Sequence, residues 1–133
     1  MTAGTVNLPQ TRGLVVIIVD DDPAVRGSLQ FALEIEGFTV HAYATGEELL
    51  LSEMPEQGCL VLDFKMPGLN GLQLLDRLRA QGHDLPALLI TSNPSQSTRE
   101  RAAGAGILII EKPLLGNTLS DAIREVLHSP PGR

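Results

Sequence analysis

The stretch LVVIIVDDDP, residues 14–23, places six aliphatic residues directly before three carboxylates. A continuous aliphatic run of this length is typical of a strand that is buried on both faces of a parallel sheet. Three carboxylates crowded at the end of such a strand repel one another unless a positive charge neutralises them. The stretch therefore predicts a buried strand that ends at a cation site.

The composition predicts a single globular domain. The chain has 133 residues, of which 43% are hydrophobic and 20% are charged, so it is long enough for a core and outside the disordered class. Its net charge of −6, without a cluster of Lys or Arg, argues against the basic surface that nucleic-acid binding requires. We therefore expect no direct contact with nucleic acid.

Neither a membrane span nor a disulfide is predicted. No apolar run approaches the roughly 20 residues that cross a bilayer, and the first residues lack the pattern of a signal peptide. The single cysteine, Cys59, lies in an apolar run and is expected to be a small buried side chain. We expect a cytoplasmic protein that does not contact the membrane.

Five segments have the character of strands. Four are short aliphatic runs, and the other alternates more and suits an edge strand. The aliphatic runs are residues 14–19, 59–63, 87–91 and 107–111, and the edge candidate is residues 38–43. Runs of this kind that alternate with helices imply right-handed crossovers, so the predicted fold is α/β with a doubly wound parallel sheet of five strands.

About five helices are predicted between and after these strands. The first has Asp22 as N-cap and Pro23 at its first position, and its expected buried face is Val25, Leu29, Ala32, Leu33 and Ile35. The second begins near Thr45, which has capping-box spacing to Glu48, and the third covers about residues 71–80. The fourth lies between TSNPSQST, residues 91–98, and GAG, residues 104–106, and is polar and rich in small residues, so we expect it to be short or mobile. The fifth covers about residues 118–127, with Leu119, Ala122, Ile123, Val126 and Leu127 buried.

Polar residues stand where each of the long aliphatic runs ends. Because parallel strands deliver their last residues to one edge of the sheet, we expect these side chains to be neighbours. They are Asp20 and Asp21, Asp63, Thr91 with Ser92, and Lys112. Converging carboxylates suit Mg²⁺, and a hydroxyl and an ammonium beside them suit a phosphoryl group. The sequence therefore predicts a magnesium and phosphoryl-transfer site at this edge.

Four motifs in order resemble the receiver domain of bacterial two-component response regulators. They are VDDDPAVR, LVLDFKMPGLNG, ALLITS and IIEKP, and the resemblance covers about residues 13–128. It implies a flavodoxin-like fold of the single-domain, CheY-like kind. Residues 1–12 are then expected to be a flexible N-terminal arm and residues 129–133 a disordered tail.

The resemblance also implies a role for each matching residue. Asp63 would be the phosphoacceptor, with Thr91 and Lys112 as its catalytic partners. Asp20, Asp21 and Asp63 would hold Mg²⁺, Asp21 as the more direct ligand, together with the backbone carbonyl of Lys65. The bond between Lys112 and Pro113 is a candidate for a cis peptide.

The implied function is that of a stand-alone response regulator in a two-component phosphorelay. It would take a phosphoryl group from a sensor histidine kinase or a phosphotransfer protein and signal to a downstream protein target through altered protein contacts. It would not be an enzyme beyond phosphorylating and dephosphorylating itself.

The motifs also indicate residues that stay outside the site. Asp22 stands directly before Pro23, which favours a helix cap over a metal ligand. The three histidines, His41, His83 and His128, have no spacing that indicates a metal site or a relay.

One position departs from the family pattern. Receivers carry an aromatic residue three places before the lysine, where this chain has Ile109, preceded by Leu108. An isoleucine cannot expose a ring and a hydroxyl alternately. We therefore expect output through the segment 92–98 and through an apolar face with Ile107 and Ile109, where a partner or a second copy would form a homodimer through the fourth helix and fifth strand.

Two alternative functions remain open from the sequence. Asp20 and Asp22 have the D-x-D spacing of haloacid-dehalogenase-type phosphatases, but Pro23 follows where that class has Gly-Thr, and no acidic pair follows Lys112. The altered switch position also fits a pseudo-receiver that binds partners without being phosphorylated.

Overall fold

The computed structural model describes residues 13–128, so the two predicted flexible ends lie outside the described residues. The elements in chain order are β1 (Val15–Val19), α1 (Pro23–Ile35), β2 (Thr39–Tyr43), α2 (Gly46–Leu50), β3 (Cys59–Asp63), α3 (Gly71–Ala80), β4 (Ala87–Thr91), α4 (Gln96–Gly104), β5 (Leu108–Glu111) and α5 (Thr118–His128). All strand pairs are parallel, and their order in the sheet is β2-β1-β3-β4-β5. The predicted doubly wound α/β fold, flavodoxin-like in its order of strands, is confirmed.

The central strands are buried on both faces, which explains their uninterrupted aliphatic sequences. Every residue of β3 and β4 is buried, and so is every residue of β1 except Val15. β2, at the edge, alternates between exposed and buried at its start. Because a helix layer covers each face of the sheet, the central strands are shielded from water on both faces.

Two hydrophobic clusters fill the two faces of the sheet. One contains Leu33 of α1 and Ile123 of α5, together with Val16 and Ile18 of β1. The other contains side chains of α2, α3 and α4 together with Ile17 and Val19 of β1, Leu60 and Leu62 of β3, and Leu89 of β4. Alternate residues of one strand thus pack in opposite clusters, because successive side chains of a strand point to opposite faces of the sheet. The clusters hold the strands so that their carboxyl ends meet at one edge.

The expected buried faces of the first and last helices are partly wrong. Ala32 is exposed, and Ile35 is 69% exposed, as is Phe31 at 67%. Leu33 is the residue of α1 that enters the core, and Ile35 is displaced from it by about 200° around the helix axis. In α5, Val126 and Leu127 are only half-buried. Both helices therefore present a narrower apolar face to the sheet than their composition indicates.

The local expectations are met in part. The fourth helix has nine residues, against ten in α3, and it begins at Gln96, inside the segment expected to precede it, because Ser95 caps it by accepting from the N–H of Thr98. Cys59 is fully buried, and burial raises the pKa of its thiol to about 12. Within residues 13–128 no helix has the length and apolar character to cross a membrane.

Candidate functional site

The carboxylates predicted from the strand ends come together. Asp20 follows β1 and is 2% exposed, while Asp63 ends β3 and is 5% exposed. Asp21 beside them is exposed. One carboxylate oxygen from each of the three residues lies within 4.8 Å of the others. This is the only such group of His, Cys, Asp or Glu found in residues 13–128, so the three histidines form no comparable site there.

A lysine contacts this cluster directly. The Nζ atom of Lys112 lies 3.2 Å from Oδ1 of Asp63. The lysine is placed there by its backbone, because its N–H donates to the carbonyl of Thr91 at 2.9 Å, extending the pairing of β4 with β5. The positive charge thus offsets part of the repulsion among the acids.

The site opens into a cavity of about 240 Å³ at the carboxyl edge of the sheet. It is lined by Asp20, Asp21, Asp22, Asp63, Lys65, Thr91, Ser92 and Lys112. A larger cavity of about 520 Å³ lies at the opposite edge, where Gly13, Gly58 and Pro86 line it. The smaller cavity is the candidate site, because it holds three clustered carboxylates, a lysine and a buried threonine.

Burial is the main cause of the raised pKa values of Asp20 and Asp63. Loss of water around Asp63 raises its pKa above the usual carboxyl value, and the charge of Asp20 raises it further, while Lys112 opposes both effects. Burial likewise raises the pKa of Asp20, against the hydrogen bond from Asp22 and the charge of Lys112. Two carboxylates that resist ionisation side by side favour a cation between them.

The loop between β1 and α1 is fixed by its own polar groups. Oδ1 of Asp22 accepts from the N–H groups of Ala24 and Val25 at 2.9 and 3.3 Å, which confirms Asp22 as the cap of α1. Oδ1 of Asp20 accepts from the N–H of Asp22 at 2.9 Å. In addition, Nη1 of Arg26 donates to the carbonyl of Asp20 at 2.8 Å. Sequence reasoning missed Arg26, since a lone arginine in the first turns of a helix normally indicates only a solvated side chain.

The loop between β3 and α3 comes very close to Asp63. A Cβ atom on Gly71 would lie 2.7 Å from the Asp63 carbonyl oxygen and 2.7 Å from a methyl carbon of Leu89. Asn70 and Gln73 form a full capping box at the start of α3, which the sequence analysis also missed. The loop therefore needs glycine at residue 71 to bring α3 against the end of β3.

The donor set fits a hard divalent cation. Three carboxylates supply oxygen ligands, and the open cavity leaves room for water and phosphate oxygens, as Mg²⁺ requires. Lys65 is exposed and lines the same cavity. The Lys112–Pro113 bond is cis, as the resemblance implied.

The apolar surface expected at the fourth helix and fifth strand is only partly exposed. Ile107 is 8% exposed and packs in the cluster that includes Ala102 of α4, so it cannot offer a docking surface. Ile109 is half-buried against the same cluster. The exposed apolar residue of β5 is Leu108, at 46%. The backbone N–H of Ile107 donates to the carbonyl of Ala102 in the last turn of α4, so this residue is held close to that helix.

The model of one known family, the response regulator receiver domain, matches residues 16–124. The chain belongs to this family. Receiver domains bind Mg²⁺ in an acidic pocket and interact with histidine kinases or phosphotransfer proteins, and they serve signalling rather than conventional enzymatic turnover.

Curated relatives of this receiver domain are longer proteins. The chain is 34% identical over 116 residues to the transcriptional regulatory protein FixJ of Azorhizobium caulinodans, covering 86% of this chain and 55% of that protein. It is 42% identical over 94 residues to the response regulator MprA of Mycobacterium ulcerans, covering 68% of this chain and 40% of that protein. The receiver thus spans about half of these relatives or less.

Solved structures of isolated receivers match over nearly their whole length. The crystal structure of FixJ-N superposes with a TM-score of 0.75 at 31% identity, covering 90% of this chain and 98% of that one. A CheY-like receiver domain protein from Methanospirillum hungatei gives a TM-score of 0.78 at 28% identity, covering 86% and 94%. The fold and the family assignment therefore agree.

Proposed function

We propose that this receiver accepts a phosphoryl group on Asp63 from the phosphohistidine of a sensor kinase or phosphotransfer protein, in a Mg²⁺-dependent reaction. The observation that carries the proposal is the 3.2 Å contact between Lys112 and a buried Asp63 beside two further acids. An ammonium at this distance is within reach of a phosphoryl group on the same carboxylate.

The chemistry follows from the positions of these groups. A carboxylate oxygen of Asp63 attacks phosphorus, a P–O bond forms while the P–N bond breaks, and the imidazole leaves with that electron pair. Lys112 then pairs with a phosphoryl oxygen instead of with the carboxylate alone, and the hydroxyl of Thr91 can donate to another. Attack of water on phosphorus later releases phosphate and restores the carboxylate.

Asp20, Asp21 and Asp63, with the backbone carbonyl of Lys65, are the proposed ligands of Mg²⁺. The bound cation would neutralise charge that the phosphoryl oxygens bring to an already acidic pocket. The raised pKa values of Asp20 and Asp63 support this assignment, because they reflect carboxylates that lack sufficient compensation by Lys112 alone.

Output is proposed to occur through changed protein contacts on the face of α4 and β5. Thr91 is buried and followed directly by the loop 92–95 and by α4, so movement of its side chain toward a phosphoryl oxygen would shift that segment. Ile109 and the exposed ion pair of Arg99 with Glu111, 3.0 Å long, belong to this face. A second copy or a downstream protein would dock there.

The test of the proposed function uses the purified 133-residue chain. It is incubated with acetyl phosphate, with and without Mg²⁺, and its intact mass is measured. We expect one added phosphoryl group that depends on Mg²⁺ and is lost again with time once gel filtration has removed the acetyl phosphate and Mg²⁺ is kept present. An unchanged mass at saturating acetyl phosphate, and after incubation with phosphorylated kinases, would instead support a pseudo-receiver that only binds partners.

A further inference from the structure

We propose that Arg26 is a positioning residue that fixes the direction of Asp21 toward the metal. The inference rests on the proposed Mg²⁺-dependent function and extends it to a residue outside the acidic motif. Arg26 lies in the second turn of α1, half-buried, and its guanidinium reaches back over the loop to the carbonyl of Asp20.

Arg26 holds the loop at two points. Its side-chain Nη1 donates to the carbonyl of Asp20 at 2.8 Å, and its backbone N–H donates to the carbonyl of Asp22 at 2.9 Å. The first contact fixes the peptide group that precedes Asp21, and the second fixes the carbonyl at the start of the helix. Asp21 and the capping residue Asp22 lie between these two points.

Arg26 is the residue that donates to the carbonyl of Asp20, because the other hydrogen bonds of the loop involve different groups. The N–H of Asp20 donates to the carbonyl of Tyr43 at 3.1 Å, and the N–H of Asp22 donates to Oδ1 of Asp20 at 2.9 Å. The peptide groups on both sides of Asp21 are therefore held, although its side chain is exposed. The peptide groups on either side of Asp21 set where its carboxylate begins, and the Arg26 contact is the one that holds the preceding peptide.

Two roles for Arg26 predict opposite effects on metal binding. A guanidinium that acted only through its charge would repel a divalent cation, so its removal would strengthen Mg²⁺ binding. If the guanidinium instead positions Asp21, its removal would weaken Mg²⁺ binding. Among the ion pairs formed within residues 13–128, none includes Arg26, which favours a contact with the backbone over neutralisation of the acids.

The experiment measures the Mg²⁺ affinity of Arg26→Gln by titration calorimetry at neutral pH. We expect an affinity about tenfold lower than that of the wild type, the usual cost of losing a residue that orients a metal ligand. Arg77→Gln is the matched control, because Arg77 is an exposed arginine of α3, and it should keep the wild-type affinity or bind slightly more tightly. If Arg26→Gln does not fold, Arg26→Met replaces it.

A second measurement does not depend on the metal. Without Mg²⁺, the amide of Asp22 should exchange its hydrogen faster in Arg26→Gln than in the wild type, while the amides of β3 stay unchanged. Equal or tighter Mg²⁺ binding by Arg26→Gln, or unchanged exchange at Asp22, would overturn the positioning role. If the wild type itself binds no Mg²⁺, the proposed function fails, and the exchange comparison still decides whether Arg26 orders the loop.

Discussion

Lys112 and Asp63 form an ion pair of 3.2 Å in which the carboxylate is buried and the lysine remains partly exposed. Burial still raises the pKa of Asp63, so the lysine compensates only part of the cost of enclosing this charge. The site is therefore short of positive charge when no cation is bound. This imbalance is the physical basis for the predictions on Asp21 and Asp20.

Asp63→Asn is expected to abolish phosphorylation by acetyl phosphate, because the amide cannot act as the nucleophile. The measurement is intact mass with Mg²⁺ present. Asp76→Asn, an exposed acid of α3, serves as the control and should be labelled like the wild type. Labelling of Asp63→Asn to the wild-type extent would contradict the assignment of Asp63 as the phosphoacceptor.

Asp21→Ala and Asp22→Ala are expected to separate metal binding from helix capping. Asp21→Ala should lose most Mg²⁺ binding and keep its stability, since this side chain is exposed. Asp22→Ala should still bind Mg²⁺ and lose about 1 kcal/mol of unfolding free energy through its lost cap. Calorimetric titration and denaturant unfolding measure the two effects, and a reversed pattern would exchange the two roles.

Asp20→Asn is expected to stabilise the metal-free protein at neutral pH. The pKa of Asp20 is raised in the folded state, so the folded protein binds this proton more tightly than the unfolded chain. Ionisation of Asp20 therefore lowers stability as pH rises through its folded pKa, and protonation removes this cost as pH falls toward the usual carboxyl pKa. Asparagine removes the charge and can still accept from the N–H of Asp22.

Melting curves in EDTA at several pH values test this prediction. The variant should melt at a higher temperature than the wild type at pH 7 to 8, and the difference should vanish near the usual carboxyl pKa of about 3.9. A wild type that is more stable than Asp20→Asn at every pH would contradict it.

Gly71→Ala is expected to destabilise the protein by about 1 to 3 kcal/mol, as overpacking does. Its Cβ would lie 2.7 Å from the Asp63 carbonyl, so the end of β3 must shift and phosphorylation should slow. Gly27→Ala in α1 is the matched control, because a Cβ there meets no atom within 4 Å. Alanine should stabilise that helix by roughly 0.5 to 1 kcal/mol. Denaturant unfolding and labelling rates check both variants.

Beryllofluoride, which mimics the phosphoryl group, is expected to promote self-association through the face of α4 and β5. Arg99→Glu should prevent it, because it places a like charge beside Glu111 where the wild type has an ion pair. Arg77→Glu on α3 is the control. Sedimentation velocity measures association, and hydrogen exchange should change within residues 92–111. Identical exchange there in both states would exclude this face from output.

The sheet and the acids of the site could be predicted from the pattern of residues along the chain. Uninterrupted aliphatic runs such as residues 59–63 and 87–91 are stable only when both faces are covered, which requires a parallel sheet between helix layers. In such a sheet the residues that end the strands must be neighbours, so Asp20, Asp63 and Lys112 could be predicted to lie close together. These inferences rely on chain periodicity, which is a local property.

The face that each helix turns toward the core, and the contacts between groups distant in the chain, could not be predicted in this way. Hydrophobicity alone does not fix the rotation of α1, so Ile35 is exposed while Leu33 is buried. Likewise the contact of Arg26 with Asp20 and the approach of Gly71 to Asp63 depend on how a helix docks against the end of a strand. Docking is set by packing summed over many side chains, so no short motif encodes it.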